Sequence, residues 1–364
     1  PGKPFWGFGF LILFGVFWII FTTSQFLEHS VMWEVVRPIT SLALTQLSVF
    51  SFTFLVMDRD KRFLKDTFGT YISPELIEQM VEDKEEPKLG GDEAFHTAFF
   101  TDVQDFSTIS EQLTATDLVE LLNVYLTDMT TILLNNKGTL DKYIGDAIVA
   151  FYGAPVPIKD HAYKACKTAL EMQERLKFLR KEWFNEGERW PEIVHNMQNR
   201  IGIHSGPMVT GNMGSEQRMN YTMMGDAVNL AARLESSCKF YGIYTQISED
   251  TYAEVKDKVV VREMDRIIVK GRNKPVTTYE LISLSGRQPD YMKELLPGFQ
   301  EALKLYRSRE WKKAGTLFSS LEKYEKMVPG RSTNPCSIYS ERCRSYEKNP
   351  PPENWDGTWI LESK

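Results

Sequence analysis

The chain has 364 residues, of which 42% are hydrophobic and 25% charged, so it is long enough to bury a sizeable core and to hold more than one domain. Its formal net charge is −6 and its isoelectric point about 5.6, a balance that gives no broad basic surface and excludes nucleic acid as an expected partner. The four cysteines form no CxxC pair and have no histidine at zinc-ligand spacing, so we expect reduced thiols rather than a disulfide framework.

Two uncharged stretches near the amino terminus predict membrane-spanning helices. Residues 5–21 are apolar throughout, and residues 38–57 are uncharged but contain Thr and Ser. A hydrocarbon layer of about 30 Å is crossed by a helix of about 20 apolar residues, so we expect residues 1–57 to form two spans in a lipid bilayer. A signal peptide and a buried core helix are the alternatives. The basic cluster at 58–65 predicts a multi-pass protein of the inner (plasma) membrane whose following domain is cytoplasmic.

Residues 58–94 are predicted to connect the membrane helices to the next domain. A Ser-Pro-Glu sequence at 73–75 is a typical helix start, and the acidic, glycine-containing run after it is typical of a linker. The tetrad GGDE at 90–93 resembles the signature of diguanylate cyclases, but it precedes the first predicted strand and lacks the Phe that follows in that family, so we interpret it as a coincidence. Because the chain begins at Pro1 without an initiator methionine, we expect it to be a piece of a longer protein with a sensor domain upstream.

Two short apolar strands each carry an acidic residue near one end. Asp102 lies in the run AFFTDVQDFS and Asp146 in the run DKYIGDAIVAFYGAP. Unpaired buried carboxylates cost on the order of several kcal/mol or stay protonated, so a shared cation such as Mg²⁺, which takes part of its shell from substrate phosphates, is one explanation. The alternative is that each aspartate caps a turn at the end of a strand. Residues 116–135 have the 3.6-residue apolar spacing of a helix that can bring the two strands side by side.

A third motif, at 200–236, combines an alternating strand, a glycine-rich turn and a helix that carries Asn229 and Arg233. These two residues are four apart and share a helix face. An amide and a guanidinium on one face suit a sugar ring and a phosphoryl oxygen. The alternative is an exposed polar face on which Arg233 pairs with Glu235 or Asp226.

Four blocks of this sequence resemble, in order and spacing, the signature blocks of the class III adenylate cyclase catalytic domain. The blocks are FTDVQDFS, DKYIGDAIVAFYGAP, RIGIHSG and YTMMGDAVNLAARLES, and they lie within residues 95–285. The resemblance implies an α/β (α+β) fold, with a ferredoxin-like βαββαβ sheet that has helices on one face. It also implies a lyase that acts in signal transduction and converts ATP to 3′,5′-cyclic AMP and pyrophosphate.

The resemblance also assigns roles to the residues of these blocks. Asp102 and Asp146 would hold two Mg²⁺ or Mn²⁺ ions per site, with the backbone carbonyl of Val103 as a further ligand. In the family the ions clamp the triphosphate and lower the pKa of the ribose 3′-hydroxyl that attacks the α-phosphorus. Asn229 would orient the ribose, and Arg233 would meet the charge that develops on the α-phosphoryl group.

The base and the terminal phosphates have candidate contacts as well. Lys142 aligns with the lysine that reads adenine N1 in the family, and Thr222 with the residue that accepts a hydrogen bond from the N6 amine. Guanylate-specific relatives carry an acid at the lysine position, so Lys142 favours ATP. Lys270 resembles the lysine that reaches the terminal phosphates, and Arg272 is a possible substitute. Two other functions stay open, namely a guanylate cyclase and a catalytically silent nucleotide-binding signalling domain.

The family builds its site across a dimer, with the metal-binding acids from one subunit and the base-reading and Asn/Arg residues from the other. This chain carries both sets, which implies a symmetric homodimer with two sites. The sequence departs from the family at Asp105, where many relatives have glycine, and at Pro207, where some have a basic residue.

Residues 286–364 are predicted to form a helical-hairpin tail that packs on the catalytic domain. Residues 295–327 have the pattern of an antiparallel helix pair. Cys336 and Cys343 are seven residues apart and would share a face if that segment is helical, either as buried thiols or as a redox pair. The last residues read as extended chain.

Overall fold

The computed structural model describes residues 5–68, 88–268, 274–325, 331 and 333–360. These residues belong to two compact units, Pro1–Lys84 and Glu85–Lys364, and each unit is described by itself. The predicted helix start at 73–75, Lys270 and Arg272 lie outside the described residues.

The first unit contains two helices, α1 (Phe5–His29) and α2 (Val36–Phe68). Within the described residues, one helix is long and apolar enough to cross a membrane, namely Gly9–His29 with a mean hydropathy of 2.0. Its apolar side chains are exposed, as with Leu13 at 72%, which is unlike the core helix of a globular protein. A signal sequence passes the same test of length and composition. The second predicted span, 38–57, lies inside α2 but is not found as a second span in the described residues, so the two-span anchor stays a prediction.

The described part of the second unit is built on one mixed sheet with helices around it. Its strands are β1 (Gly90–Val103), β2 (Thr139–Ile144), β3 (Ala147–Tyr152), β4 (Asn199–Ser215), β5 (Arg218–Met224), β6 (Thr245–Ser248), β7 (Val259–Ile268), β8 (Val276–Leu284) and β9 (Thr358–Ile360). Its helices are α3 (Phe106–Gln112), α4 (Ala115–Asn135), α5 (His161–Asn185), α6 (Glu192–His195), α7 (Asp226–Tyr241), α8 (Glu249–Val255), α9 (Met292–Arg307), α10 (Trp311–Glu325) and α11 (Pro335–Lys348).

The strand order confirms the predicted ferredoxin-like arrangement. The strands run β2-β3-β1-β4-β6-β8-β7-β9, and β5 pairs with β4. The first four strands pair antiparallel with one another, and α4 and α5 are the main connections between them, which is the βαββαβ order. β1 pairs with β4 along its full length, from Gly90 to Val103. The tetrad at 90–93 therefore lies inside β1 rather than before the first strand, because the long β4 supplies it with backbone partners.

The core lies on both faces of the sheet. Successive residues of a strand point to opposite faces, so Phe99 packs in the main cluster with α4 and α5 while its neighbour Ala98 packs in a cluster with α7. The helices of the βαββαβ unit thus share one face as predicted, and α7, which follows that unit, covers the other. Gly202 permits the close approach of α7, since a Cβ at this position would lie 2.2 Å from the backbone nitrogen of Glu235.

The tail adds three helices and one strand to this unit. The predicted helix pair corresponds to α9 and α10, and α11 completes a separate apolar cluster with them. Cys336 and Cys343 are both fully buried in this cluster, and neither forms a disulfide. The hydroxyl of Tyr339 donates to the Met264 carbonyl at 2.5 Å, which ties α11 to β7. Part of the segment expected to be extended chain forms β9, which pairs in parallel with β7.

Four buried charges join the tail to the sheet, and we call them the charge quartet: Arg262, Glu280, Glu325 and Arg331. Each guanidinium bonds both carboxylates; Arg262 Nε lies 2.9 Å from Glu280, and Arg331 Nη1 lies 2.9 Å from Glu325. All four side chains are at most 7% exposed. Burial alone would raise the pKa of Glu280, but the two guanidinium groups hold that pKa below its ordinary value.

Replacing one member of the charge quartet should weaken the fold strongly. We expect Arg262→Met to lower the free energy of unfolding by about 3–5 kcal/mol, because it leaves two buried carboxylates short of a partner. The matched control is Arg266→Met on the same strand, whose ion pair with Asp356 is 42% and 53% exposed; its loss should cost about 0–1 kcal/mol. Urea unfolding in detergent measures both, and equal effects would contradict the assigned role of the quartet.

Candidate active site

Asp102 and Asp146 meet where β1 ends and β2 turns into β3. Ile144 pairs with Ala147, so Gly145 and Asp146 form a two-residue turn rather than part of a strand. Gly145 has a φ of 65°, a left-handed conformation that glycine adopts without strain. The turn brings the Asp146 carboxylate to the backbone of β1, where its Oδ2 accepts a hydrogen bond from the Val103 amide at 2.8 Å.

The electrostatics of this pair favour a cation. Asp146 is 8% exposed, and burial together with the nearby charge of Asp102 raises the pKa of its carboxyl, although the Val103 hydrogen bond opposes that shift. Carboxylate and carbonyl oxygens are the hard ligands that Mg²⁺ and Mn²⁺ prefer, so the donor set fits such an ion. No group of three or more His, Cys, Asp or Glu side chains in the described ranges could hold a metal by itself, so further ligands would have to be backbone, water or substrate oxygens.

Sequence reasoning missed Arg200, which stands beside Asp102. The two residues are direct partners in the β1–β4 register, and Arg200 Nη2 lies 2.5 Å from Asp102 Oδ2. Arg200 Nε also donates to Glu235 on α7 at 3.0 Å. Glu235, one of the two acids considered as a partner of Arg233, thus pairs with Arg200 instead, because it lies on the side of α7 that faces the sheet.

Glu235 is unusual among the acids of this region. Burial and the charge of Asp102 raise the pKa of its carboxyl to about 7, and the opposing attraction of Arg200 compensates only part of that shift. A proton on this group near neutral pH would change the net charge that surrounds Arg200 and Asp102.

A second polar group forms between β2 and β5, and we call it the Lys-Thr-Asp cluster: Lys142, Thr222 and Asp141. Lys142 Nζ lies 3.5 Å from Thr222 Oγ1, although the two residues are 80 positions apart in the chain. Thr222 also donates to Asp141 Oδ2 at 2.6 Å. Burial raises the pKa of the Asp141 carboxyl, while Thr222 and Lys142 act in the opposite direction. Asp141 was not singled out from the sequence; its only signal was a charge inside a strand, directly before Lys142.

Asn229 and Arg233 lie on α7, which begins after Gly225. Gly225 has a φ of 142°, which lets the chain turn sharply from β5 into the helix. Asn229 is exposed, whereas Arg233 is half-buried and its Nη1 has no hydrogen-bond partner among the described residues. A buried guanidinium donor without a partner is suited to an anionic oxygen.

The described part of the chain therefore holds three polar groups. They are the acids Asp102 and Asp146, the Lys-Thr-Asp cluster, and the pair Asn229 and Arg233 on α7. Within the described residues, no hydrogen bond or ion pair joins one group directly to another. Lys270 cannot be assigned to any group, because it lies outside the described residues.

Asp105, which departs from the expected glycine, has a backbone conformation that glycine favours. Its φ is 56° at the start of α3, directly after the β1 strand that carries Asp102. Asp tolerates the left-handed region better than most residues, so the loop can keep its path without glycine.

The sequence matches one protein family over the region that holds all described site residues. Residues 94–283 match the family described as the adenylate and guanylate cyclase catalytic domain. Adenylate cyclase 1 of Rhizobium meliloti is 35% identical over 221 residues, which is 60% of this chain and 32% of that protein. The terminal-differentiation-specific adenylate cyclase of Dictyostelium discoideum is 31% identical over 251 residues, 68% of this chain and 11% of that protein. The matched region thus spans a third or less of these two curated relatives.

Two solved structures resemble this chain. The adenylyl cyclase CyaB from P. aeruginosa has a TM-score of 0.50 and 35% identity, over 55% of this chain and 100% of that one. A bacterial light-regulated adenylyl cyclase has a TM-score of 0.52 over 66% of each chain, and its 22% identity bears on the fold alone.

Glu235 should make stability depend on pH. Its pKa is raised in the folded state, so the folded protein binds more protons than the unfolded chain; the contribution is complete below pH 4.5 and is lost as pH rises through about 7. Relative to Glu235→Gln, the unfolding free energy of the unmodified protein should fall by roughly 3 kcal/mol between pH 4.5 and pH 8. Chemical unfolding at several pH values measures the difference.

The control for this measurement is Glu120→Gln, which changes an exposed acid in a surface ion pair with Arg189. This variant should show no such relative change with pH. A difference between the unmodified protein and Glu235→Gln that stays constant with pH would mean that Arg200 keeps Glu235 ionised throughout.

Proposed function

Because the chain belongs to the adenylate and guanylate cyclase catalytic domain family, we propose that it converts ATP to 3′,5′-cyclic AMP and pyrophosphate. The observation that carries the choice of ATP is the contact of Lys142 Nζ with Thr222 Oγ1 at 3.5 Å. A cationic donor beside a hydroxyl acceptor complements adenine, whose N1 accepts and whose N6 amine donates. The similarity to adenylate cyclases at 31–35% identity supports the same substrate.

The proposed reaction uses the three polar groups in separate roles. Asp102, Asp146 and the Val103 carbonyl would hold divalent ions, Mg²⁺ or Mn²⁺, which when bound supply charge neutralisation on the triphosphate and acidify the attacking hydroxyl. Asn229 holds the ribose so that its 3′-oxygen lies in line with the α-phosphorus and the leaving pyrophosphate.

Arg233 donates to the α-phosphoryl oxygens. Its buried Nη1, which has no protein partner among the described residues, gains most as negative charge develops there, so it stabilises the transition state more than the substrate. Lys270, outside the described residues, is proposed to bind the terminal phosphates.

We further propose that the working unit is a symmetric homodimer. Within the described residues of one chain, no hydrogen bond or ion pair joins the three polar groups directly. This is consistent with a site in which Asp102 and Asp146 of one subunit face the Lys-Thr-Asp cluster and α7 of the other.

The proposed location is the inner (plasma) membrane, with the catalytic unit in the cytoplasm. The exposed apolar surface of α1 supports at least one span. The second span and the upstream sensor domain rest on the sequence alone.

Nucleotide turnover by isolated membranes tests the activity and the anchor together. With Mg²⁺ or Mn²⁺, ATP should yield cyclic AMP and pyrophosphate, and Asp146→Ala should lower kcat by about 10³-fold, as losses of groups that stabilise developing charge do. Asp290→Ala, which changes an exposed acid on the same unit, is the control. Cyclic GMP from GTP instead would mean a guanylate cyclase, and no product with either nucleotide would favour a silent binding domain.

Washing the membranes with alkaline carbonate tests the anchor and should leave the activity in the pellet. Release of the activity into the supernatant would rule out a span.

Complementation tests the shared site. Asp102→Ala and Arg233→Ala should each be inactive alone, but co-expression should restore about a quarter of the activity, because half of the dimers then carry one intact site out of two. The matched control is Asp102→Ala with Asp146→Ala, which both damage the acid side, so no mixed dimer has an intact site. Recovery in the control, or none in the test pair, would contradict the shared-site homodimer.

A further inference from the structure

We propose that Asp141 is a specificity-determining positioning residue, which fixes the Thr222 hydroxyl as a hydrogen-bond acceptor toward the base and thereby selects adenine over guanine. The inference rests on the proposed function, since it concerns the same nucleotide site. It assigns to Asp141 a role that neither the sequence motifs nor the proposed mechanism gives it.

The direction of the Thr222 hydrogen bond carries the argument. A hydroxyl has one hydrogen to donate, and an ionised carboxylate can only accept. Thr222 Oγ1 lies 2.6 Å from Asp141 Oδ2, so the single hydroxyl hydrogen is directed to Asp141. The oxygen of Thr222 is then left with lone pairs only, and it can accept but not donate in every other direction.

Lys142 favours the charged form of the Asp141 carboxylate, against the effect of burial, and lies beside the hydroxyl oxygen of Thr222. Its Nζ lies 3.3 Å from Asp141 Oδ1 and 3.5 Å from Thr222 Oγ1. The side chain of Asp141 is 2% exposed while that of Lys142 is 45% exposed. The Asp141 carboxylate is thus too buried to contact a nucleotide base directly, whereas the Lys142 side chain remains accessible to the base.

The resulting pattern distinguishes the two purines. Lys142 is a donor without an acceptor, and Thr222 becomes an acceptor without a donor. Adenine presents an acceptor at N1 beside a donor at N6, which complements both groups. Guanine presents a donor at N1 beside an acceptor at O6, so it would place like against like at both positions and leave buried polar groups unpaired.

A purely structural reading would make Asp141 the counter-ion of Lys142 and nothing more. Under that reading, loss of the acid changes stability or the affinity for both nucleotides alike. Under the proposal, loss of the acid releases the Thr222 hydrogen, which can then rotate and donate to guanine O6. The two readings differ in the ratio between nucleotides and in whether the effect needs the hydroxyl of Thr222.

The test is a double-mutant cycle on the membrane-bound full chain. Asp141→Leu keeps the branched shape but has no acceptor, and Thr222→Val keeps the shape of threonine but has no hydroxyl. For each variant, kcat and KM are measured with ATP and with GTP. In parallel, displacement of a fluorescent ribose-labelled ATP analogue by ATP or by GTP measures binding without turnover, and the unfolding midpoint shows that each variant is folded.

Asp141→Leu should lower the ATP:GTP ratio of kcat/KM by about tenfold, chiefly through KM, which is the effect expected of one mismatched buried hydrogen bond. In the Thr222→Val background, Asp141→Leu should leave the ratio unchanged, whereas in the Thr222→Ser background, which retains the hydroxyl, the tenfold fall should return. Asp290→Leu, the same change at an exposed site, should not alter the ratio.

The outcomes separate this proposal from the proposed function. An equal fall with and without the Thr222 hydroxyl, or no fall in any background, overturns the role of Asp141. If Asp141→Leu does not fold, Asp141→Ala, which also has no acceptor, takes its place in the cycle. A chain that binds ATP in preference to GTP but makes no cyclic nucleotide refutes the activity alone, and the binding ratios still decide the role of Asp141. A chain that binds neither nucleotide overturns both.

Discussion

The geometry of the candidate site depends on the hydrogen bond from the Val103 amide to the Asp146 carboxylate. β3 pairs with β1 only as far as Phe100, so the last residues of β1 extend past β3 and leave backbone donors on that side. The two-residue turn at Gly145 and Asp146 returns a carboxylate to one of these donors. A buried acid is thereby fixed beside Asp102, and the hairpin that holds it also carries Lys142. The positions of Asp146 and of Lys142, the lysine proposed to read the base, are therefore both set by the same short hairpin.

The register between β1 and β4 sets the second constraint. It places Arg200 directly opposite Asp102, and α7 packs closely enough on Gly202 for Glu235 to reach the same guanidinium. Opposite charges on neighbouring strands stabilise a sheet modestly. Here the pair also orients an acid that would otherwise be free to turn, and it connects the end of β1 to the helix that carries Asn229 and Arg233.

The resemblance of the ordered motifs to the cyclase family predicted the fold, and local strand patterns predicted the two acids near strand ends. They did not predict the partners of those acids. Arg200 and Asp102 are 98 residues apart, and Asp141 and Thr222 are 81 apart, so their contacts depend on how distant strands come together in the sheet, which the residues around each of them do not reveal. The sequence suggested Glu235 as a partner of Arg233 because the two are close in the chain, yet burial against the sheet turned Glu235 toward Arg200. The glycines of the tetrad at 90–93 are typical of a linker, and it is the length of β4 that makes this segment a strand.

The charge quartet has a consequence for the order in which the protein is made. Arg262 leaves the ribosome about 70 residues before Arg331, and at about 5–20 residues per second this interval is roughly 4–14 s. During that time β7 and β8 can pair, but half of the charges that balance Arg262 and Glu280 have not been synthesised. Until then Arg262 and Glu280 pair only with each other and lack their second partners, so this end of the sheet is expected to stay open to water until the tail emerges. The tail therefore completes the fold late in synthesis. A nascent or truncated chain that lacks the tail exposes the uncovered end of the sheet to chaperones and proteases.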